Sequence, residues 1–329
     1  MPRDRFDREI DYLRISLTDR CNLRCVYCMP ETGAMHAEPA DALGADEIER
    51  VARAAAGVGF RKIRFTGGEP TLRTDLVEIV ERIARIPGIE DVAMTTNGIL
   101  LPGLAPALRR AGLRRVNVHL DSLDPDRLSR VMRRGSLDQI LAGIAAAEEA
   151  GFEPIKINSV VVAGFNDGDV VDLARLTLER AWHVRFIELM PLGGGECARI
   201  ATTRYVSNFG TRARIEEALG PLDPLPPSHP SDEARSFRLA GARGVVGFIS
   251  PVSEPFCGTC NRMRLTSDGR FHLCLLKYDE LDVLAALRSG ASTETLGETL
   301  VRAVRAKPTG HALDVGASTT VRSMHHLGG

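Results

Sequence analysis

Short β-rich runs alternate with helical patterns through the first 190 residues, and this alternation limits the fold more than any other feature of the chain. The runs are 12–18 (YLRISLT), 62–66 (KIRFT), 91–96 (DVAMTT), 115–120 (RVNVHL), 154–162 (PIKINSVVV) and 184–189 (VRFIEL). Helical patterns occupy 45–57, 73–85, 104–111, 125–149 in two pieces, and 167–181. Asp46, Thr74, Asp124 before Pro125, and Asp167 signal helix starts, and Gly57, Gly112 and Gly151 signal helix ends. Strands separated by helices pair in parallel through crossover connections. Six such units fall short of a closed eight-unit barrel. A partial barrel and a doubly wound sheet both satisfy the pattern, and in either the chemistry belongs at the C-terminal strand ends. Cys21, Gly67-Gly68-Glu69-Pro70, Thr95-Thr96-Asn97-Gly98, Asp121-Ser122 and Met190-Pro191 sit at those ends.

After residue 190 the pattern changes. Gly193-Gly194-Gly195 reads as loop, and 220–230 (GPLDPLPPSHP) reads as a proline-rich connector. Short strands are expected at 235–239, 244–250, 262–266 and 270–274, with a hairpin turn at Ser267-Asp268-Gly269-Arg270. Helices are expected at 279–289 and 293–305. The division expected is therefore 1–225 and 226–329. No apolar run approaches the ~18 residues of a membrane span, and the N-terminus lacks a signal-peptide segment, so a cytoplasmic, globular protein is expected. With 42 basic and 43 acidic side chains the chain is not a generally basic nucleic-acid binder. A local cationic pocket stays open.

The seven cysteines carry the chemistry. Cys21, Cys25 and Cys28 form C-x3-C-x2-C directly after the first strand; Cys257, Cys260 and Cys274 form C-x2-C-x13-C; Cys197 stands apart and reads as an unrelated thiol. Structural zinc wants four closed ligands, and three thiolates instead suit a [4Fe–4S] cluster with one iron left open. For the second triplet a zinc ribbon completed by His272 or a distant ligand is an alternative. Arg262 and Arg264 follow Cys260 on one face of an expected strand, with guanidinium forks suited to phosphate or purine acceptors.

The first triplet, with Tyr27 before its last cysteine, and the Gly67-Gly68-Glu69-Pro70 turn resemble the radical S-adenosylmethionine (SAM) enzymes. The resemblance implies an α/β fold, a partial (βα)6 TIM-type barrel with a C-terminal α+β extension. It also implies a [4Fe–4S] cluster whose open iron chelates SAM and, once reduced, cleaves it to a 5′-deoxyadenosyl radical. Both triplets together resemble one branch of that family, the GTP 3′,8-cyclases of molybdenum cofactor biosynthesis. The segments that carry this are LRISLTDRCNLRCVYCMP, KIRFTGGEP, TTNG, GLRRVNVHLDSLD, RFIELMP, FCGTCNRMRLTSDGRFHLCL and the terminal Gly-Gly. The implied reaction takes the 3′ hydrogen of GTP and joins C3′ to C8, giving 3′,8-cyclo-7,8-dihydro-GTP.

The resemblance further implies a second [4Fe–4S] cluster on Cys257, Cys260 and Cys274 that binds the guanine. Arg14, Arg64, Thr95, Lys156, Arg262, Met263 and Arg264 are then substrate contacts, with Arg262 and Arg264 also in the catalytic set beside Cys21, Cys25 and Cys28. Tyr27, Gly68, His119 and Met190 fall on the SAM side, with Arg185 near the same pocket. His119 departs from the serine usual in that branch, and an imidazole can still donate or accept there. The Gly-Gly tail is expected in the substrate cavity, with Arg322, His325 and His326 around it. Implied partners are an electron donor and, next in the pathway, cyclic pyranopterin monophosphate synthase; a homodimer is compatible, and neither nucleic acid nor membrane is expected. A two-cluster peptide maturase and a zinc-stabilised binding protein are the competing readings.

Overall fold

The computed structural model describes residues 1–33, 42–311 and 322–328. The expected alternation is present: β1 (Tyr12–Ser16), α1 (Ala45–Gly57), β2 (Lys62–Thr66), α2 (Leu76–Ala84), β3 (Asp91–Thr96), α3 (Leu101–Arg110), β4 (Arg115–His119), α4 (Pro125–Met132), α5 (Leu137–Glu149), β5 (Lys156–Val161), α6 (Val170–Glu179) and β6 (His183–Glu188). Asp124 caps α4 as its sequence implies: its carboxylate accepts from the Asp126 and Arg127 amides at 3.0 and 2.8 Å. Apolar residues such as Ile48, Val51 and Ala52 of α1 and Ile79, Val80 and Ile83 of α2 are buried against the outward face of the strands.

The second half departs from expectation in three places. Helices α7 (Gly195–Thr203) and α8 (Asn208–Leu219) occupy a stretch for which no helix is expected. Both lack a broad apolar stripe, since α7 buries Cys197, Ile200 and Ala201 and α8 only Asn208, Thr211 and Ile215. Strand β7 (Leu222–Pro224) lies inside the proline-rich connector, followed by β8 (Arg235–Leu239), β9 (Val245–Ile249), β10 (Arg262–Leu265) and β11 (Arg270–His272). The helix expected over 279–289 is instead β12 (Glu280–Asp282), which pairs with β11, and then the short α9 (Leu284–Arg288). Helix α10 (Thr293–Ala306) and a last turn, α11 (Met324–Leu327), follow.

One twelve-stranded sheet runs β12-β11-β10-β1-β2-β3-β4-β5-β6-β9-β8-β7. The C-terminal half is thus woven into the same sheet as the first six strands. β10 pairs with β1 in parallel and β9 pairs with β6 in parallel. Two strands consecutive in sequence therefore extend opposite sides of the six-strand core, and among the described residues no ladder joins them. The link between them, residues 250–261, runs from the C-terminal end of β9 to the N-terminal end of β10. It carries Cys257 and Cys260 across that side of the barrel.

Candidate active site

Alternate residues of a strand face opposite sides. Here Leu13, Ile15, Ile63 and Phe65 face the helices and are fully buried. The inward face is different from the branched aliphatic filling of an ordinary parallel barrel. It carries Arg14, Arg64, Asn117, His119, Lys156, Asn158, Arg185, Arg262 and Arg264, aligned by register: Arg14 stands beside both Arg64 and Arg264, Asn117 beside Lys156, and Asn158 beside Arg185. A single cavity runs through this interior, and all six cysteines of the two triplets lie on its wall.

The first triplet closes one end. Its loop is docked on the end of α4, where the Arg24 and Val26 amides donate to the Met132 and Val131 carbonyls at 3.0 and 2.9 Å. The Gly67-Gly68-Glu69 turn packs directly on the chain leading into Cys21. The Gly68 amide donates to the Thr18 carbonyl at 2.6 Å, and a Cβ at Gly68 would stand 2.2 Å from the Arg20 carbonyl oxygen, so only glycine fits. Glu69 is buried and fully used. Its carboxylate accepts from the Thr71 and Asn97 amides and from the Thr71 and Thr96 hydroxyls at 2.5–3.0 Å, which ties the turn after β2 to the turn after β3. Tyr27, His119 and Asp121 form a second brace. The Tyr27 hydroxyl donates to Asp121 at 2.9 Å and lies 2.8 Å from His119 Nε2, which is itself 2.8 Å from the same carboxylate. Burial opposes charge on His119, but Asp121 wins and raises its pKa. Met190 lines the same end.

The second triplet lies at the other end. Because β10 is parallel to β1, Cys260 precedes the N-terminal end of β10, and Asn261 beside it accepts from the Tyr12 amide at the start of β1. This corrects the expectation that all the chemistry sits at C-terminal strand ends. The two triplets thus lie toward opposite ends of β1 and β10. The chain's N-terminus holds the second one. Arg8 donates to the carbonyls of Cys257, Pro308 and Thr309 at 2.6–2.7 Å, and Lys307 donates to the Leu273 carbonyl at 2.8 Å. Burial alone would raise the Cys260 thiol, but Lys307, Arg262 and Arg8 bring it down to about 7. Cys21, by contrast, is pushed up to about 11 by burial. His272 is buried with Nδ1 3.1 Å from Glu280, and its Nε2, on the cavity wall, has no partner.

All seven cysteines are free thiols. Zinc gathers its thiolates at about 2.3 Å around one ion. Among the described residues no three His, Cys, Asp or Glu side chains converge in that way. Each triplet sets three free thiols on the cavity wall, a donor set that suits a cluster leaving one iron open to a ligand. Cys197 is buried in α7 and takes no part in the cavity wall.

Between the triplets lies the charge. Arg14, Arg262, Arg264 and Thr95 are on the cavity wall. Arg64 and Lys156 share the inward face one step deeper; Arg64 is held by the Tyr12 hydroxyl and by Thr95 at 3.5 Å. Met263 differs from its two neighbours in where its side chain goes. Between two inward arginines its side chain must face outward, where it is 1% exposed and packs in the hydrophobic core. Arg185 donates to Asn158 at 3.0 Å and joins Arg14 and Arg64. Burial and then Arg185, Arg115 and Arg64 depress Lys156 to about 8, and burial with Lys156 and Arg185 depresses His183 to about 4. Sequence reading missed the counter-ion of this cluster, Glu233, because it follows a proline-rich stretch with no periodic signal.

The C-terminal tail returns to the cavity. His325 Nδ1 is 3.1 Å from the Cys28 carbonyl, and the Gly328 carbonyl accepts from Arg264. Arg322 pairs with Asp268 at 2.9 Å and Glu280 at 2.6 Å. Gly329 lies outside the described residues.

Residues 15–177 match the Radical SAM superfamily model and residues 182–313 match Molybdenum Cofactor Synthesis C. The chain is 46% identical over 327 residues to a GTP 3′,8-cyclase of Moorella thermoacetica, covering 99% of this chain and all of that one. It is 47% identical, with the same coverage, to the GTP 3′,8-cyclase of Pelotomaculum thermopropionicum. Among solved structures, Streptococcus suis SuiB bound to S-adenosylmethionine superposes with a TM-score of 0.62 at 14% identity, covering 88% of this chain and 67% of that one, a likeness of fold. A polar barrel with a cysteine triplet at each end, and relatives this similar over their whole length, place the chain in the radical SAM superfamily, within the family of the GTP 3′,8-cyclases.

Proposed function

We propose that the chain converts GTP to 3′,8-cyclo-7,8-dihydro-GTP, the first step of molybdenum cofactor biosynthesis. The observation that carries this is the single cavity with three thiols at each end and buried cations between them. Cys21, Cys25 and Cys28 hold one [4Fe–4S] cluster and Cys257, Cys260 and Cys274 the other. When bound, the first cluster together with SAM supplies a carbon-centred radical. The chain's own residues bind, orient and exclude water.

Gly68, Met190, His119 and Tyr27 shape the SAM side. The brace on Asp121 fixes the Tyr27 ring next to Cys28, so the SAM pocket is rigid before SAM arrives. Arg14, Arg262 and Arg264 face the nucleotide from β1 and β10, with Arg64, Lys156 and Arg185 deeper. Their spacing suits a triphosphate, which presents several acceptors to forked donors. Holding the ribose between the two ends is the orientation effect that a radical transfer needs. Gly328 and Arg264 together seal the cavity, which protects a reactive radical from solvent. The cluster that Cys21, Cys25 and Cys28 would hold would need an external one-electron donor, and the product would pass to cyclic pyranopterin monophosphate synthase. Free thiols throughout support a reducing, cytoplasmic setting.

Anaerobic reconstitution tests this reading. About eight iron atoms per chain are expected, the content of two [4Fe–4S] clusters. Cys25→Ser and Cys260→Ser should each retain about half. The first should lose SAM cleavage, and the second should lose productive GTP binding. Zinc without iron at the second triplet, or full cyclisation by Cys260→Ser, would contradict the assignment.

A further inference from the structure

The barrel interior buries more positive charge than the protein neutralises. Three guanidiniums converge on the Glu233 carboxylate: Arg14 at 2.7 Å, Arg262 at 3.6 Å and Arg185 at 3.8 Å. Arg64, Arg264 and Lys156 stand beside them and form no ion pair among the described residues. Two buried nitrogens of the trio, Arg14 Nε and Arg185 Nη2, have no hydrogen-bond partner, and Arg262 Nε reaches Glu233 only at 3.6 Å, too long for a hydrogen bond. Buried donors left unmade are costly, so the cluster is built for more acceptors than one carboxylate provides.

Glu233 does not come from the strands that carry these arginines. It comes from the segment between β7 and β8, anchored where the Ser231 carbonyl accepts from Arg262 at 2.6 Å. Its carboxylate reaches from Arg14 and Arg262 on β1 and β10 to Arg185 on β6. It therefore spans the side of the barrel that no ladder closes. Burial would favour its neutral form, but the surrounding arginines hold its pKa well below the ordinary carboxylate range.

We propose that Glu233 is a resident counter-ion that incoming phosphates must displace, so that the site ranks anionic ligands by their charge and favours triphosphates over less charged anions. A singly charged anion gains little by taking over arginines already paired with a carboxylate. A polyphosphate brings more charge and more acceptors to the same donors, including those left unpaired, and wins the exchange. The inference rests on the nucleotide reading only for the identity of the natural ligand; inorganic polyphosphates test the exchange without it.

Phosphate, pyrophosphate and tripolyphosphate are titrated into the reconstituted protein and into Glu233→Gln, by calorimetry and by thermal shift. The natural protein should show affinity rising steeply from phosphate to tripolyphosphate. In Glu233→Gln the lower members should tighten by about tenfold or more, which flattens the ladder, and tripolyphosphate should raise Tm by more than it does in the natural protein. Equal or weaker affinity in the variant overturns the proposal, because Glu233 would then only scaffold the arginines. An equal Tm increment in both proteins overturns it as well. If Glu233→Gln does not fold, Glu233→Asp, which keeps the charge with a shorter reach, should bind pyrophosphate more tightly than the natural protein, and unchanged binding overturns the proposal. GTP is a separate arm: tripolyphosphate behaving as expected while GTP fails to bind overturns the nucleotide reading and leaves the exchange standing.

Discussion

Lys156 shows what the barrel interior does to a single side chain. Buried among arginines, its ammonium is depressed to about 8, so it is charged at neutral pH and loses its proton just above. If Lys156 contacts the triphosphate as proposed, that cation disappears as pH rises through about 8. GTP affinity of the reconstituted protein should be flat below that pH and weaken above it, by up to tenfold per pH unit for the one proton lost. Lys156→Met should weaken GTP binding by about tenfold at neutral pH and abolish the inflection. An inflection that survives the substitution would move the titration to another group. Individual residues were legible from sequence where a motif names them, as with the cysteines, Gly68 and the two arginines after Cys260. Glu233, Arg8 and Asp121 act through contacts hundreds or tens of positions away, as in the 2.7 Å pairing of Arg14 with Glu233, and no local pattern announces such pairs.

At the scale of elements, hydrophobic period and helix punctuation located all six barrel strands and their helices. They did not locate α7 and α8, whose burial is sparse, or β12, whose charged sequence takes strand form only because β11 offers it an edge. Met263 illustrates the same limit from the other side: it stands between two inward arginines in sequence, and its side chain takes the opposite face of β10. The C-terminal turn is the element with the most direct functional consequence. Gly328 has φ +71°, and a Cβ there would stand 2.0 Å from the Thr66 hydroxyl oxygen at the end of β2. Both the backbone angle and the contact require glycine. Gly328→Ala should expel the tail from the cavity and release Arg264, leaving iron content unchanged while product formation falls at least tenfold and SAM cleavage becomes less tightly coupled to GTP, a loss of transition-state orientation. Unchanged coupling would show that the tail is not part of the seal.

At the scale of the whole molecule, the sequence pattern of six units understates the barrel. β9 and β10 add a parallel strand to each side of the core, so the C-terminal half completes the sheet. Parallel pairing with β1 then sends Cys257 and Cys260 to the end opposite Cys21, which no spacing rule could anticipate. The result is a channel with a thiol triplet at each end and a cationic middle, and the proposed function requires a nucleotide held at one end to present its ribose toward the other. The most direct test of that arrangement is anaerobic incubation of the reconstituted protein with SAM, dithionite and GTP carrying deuterium at C3′, with mass analysis of the 5′-deoxyadenosine formed. The account predicts deuterium in the 5′-deoxyadenosine together with a cyclised guanosine product. Unlabelled 5′-deoxyadenosine, formed with both clusters intact, would contradict it.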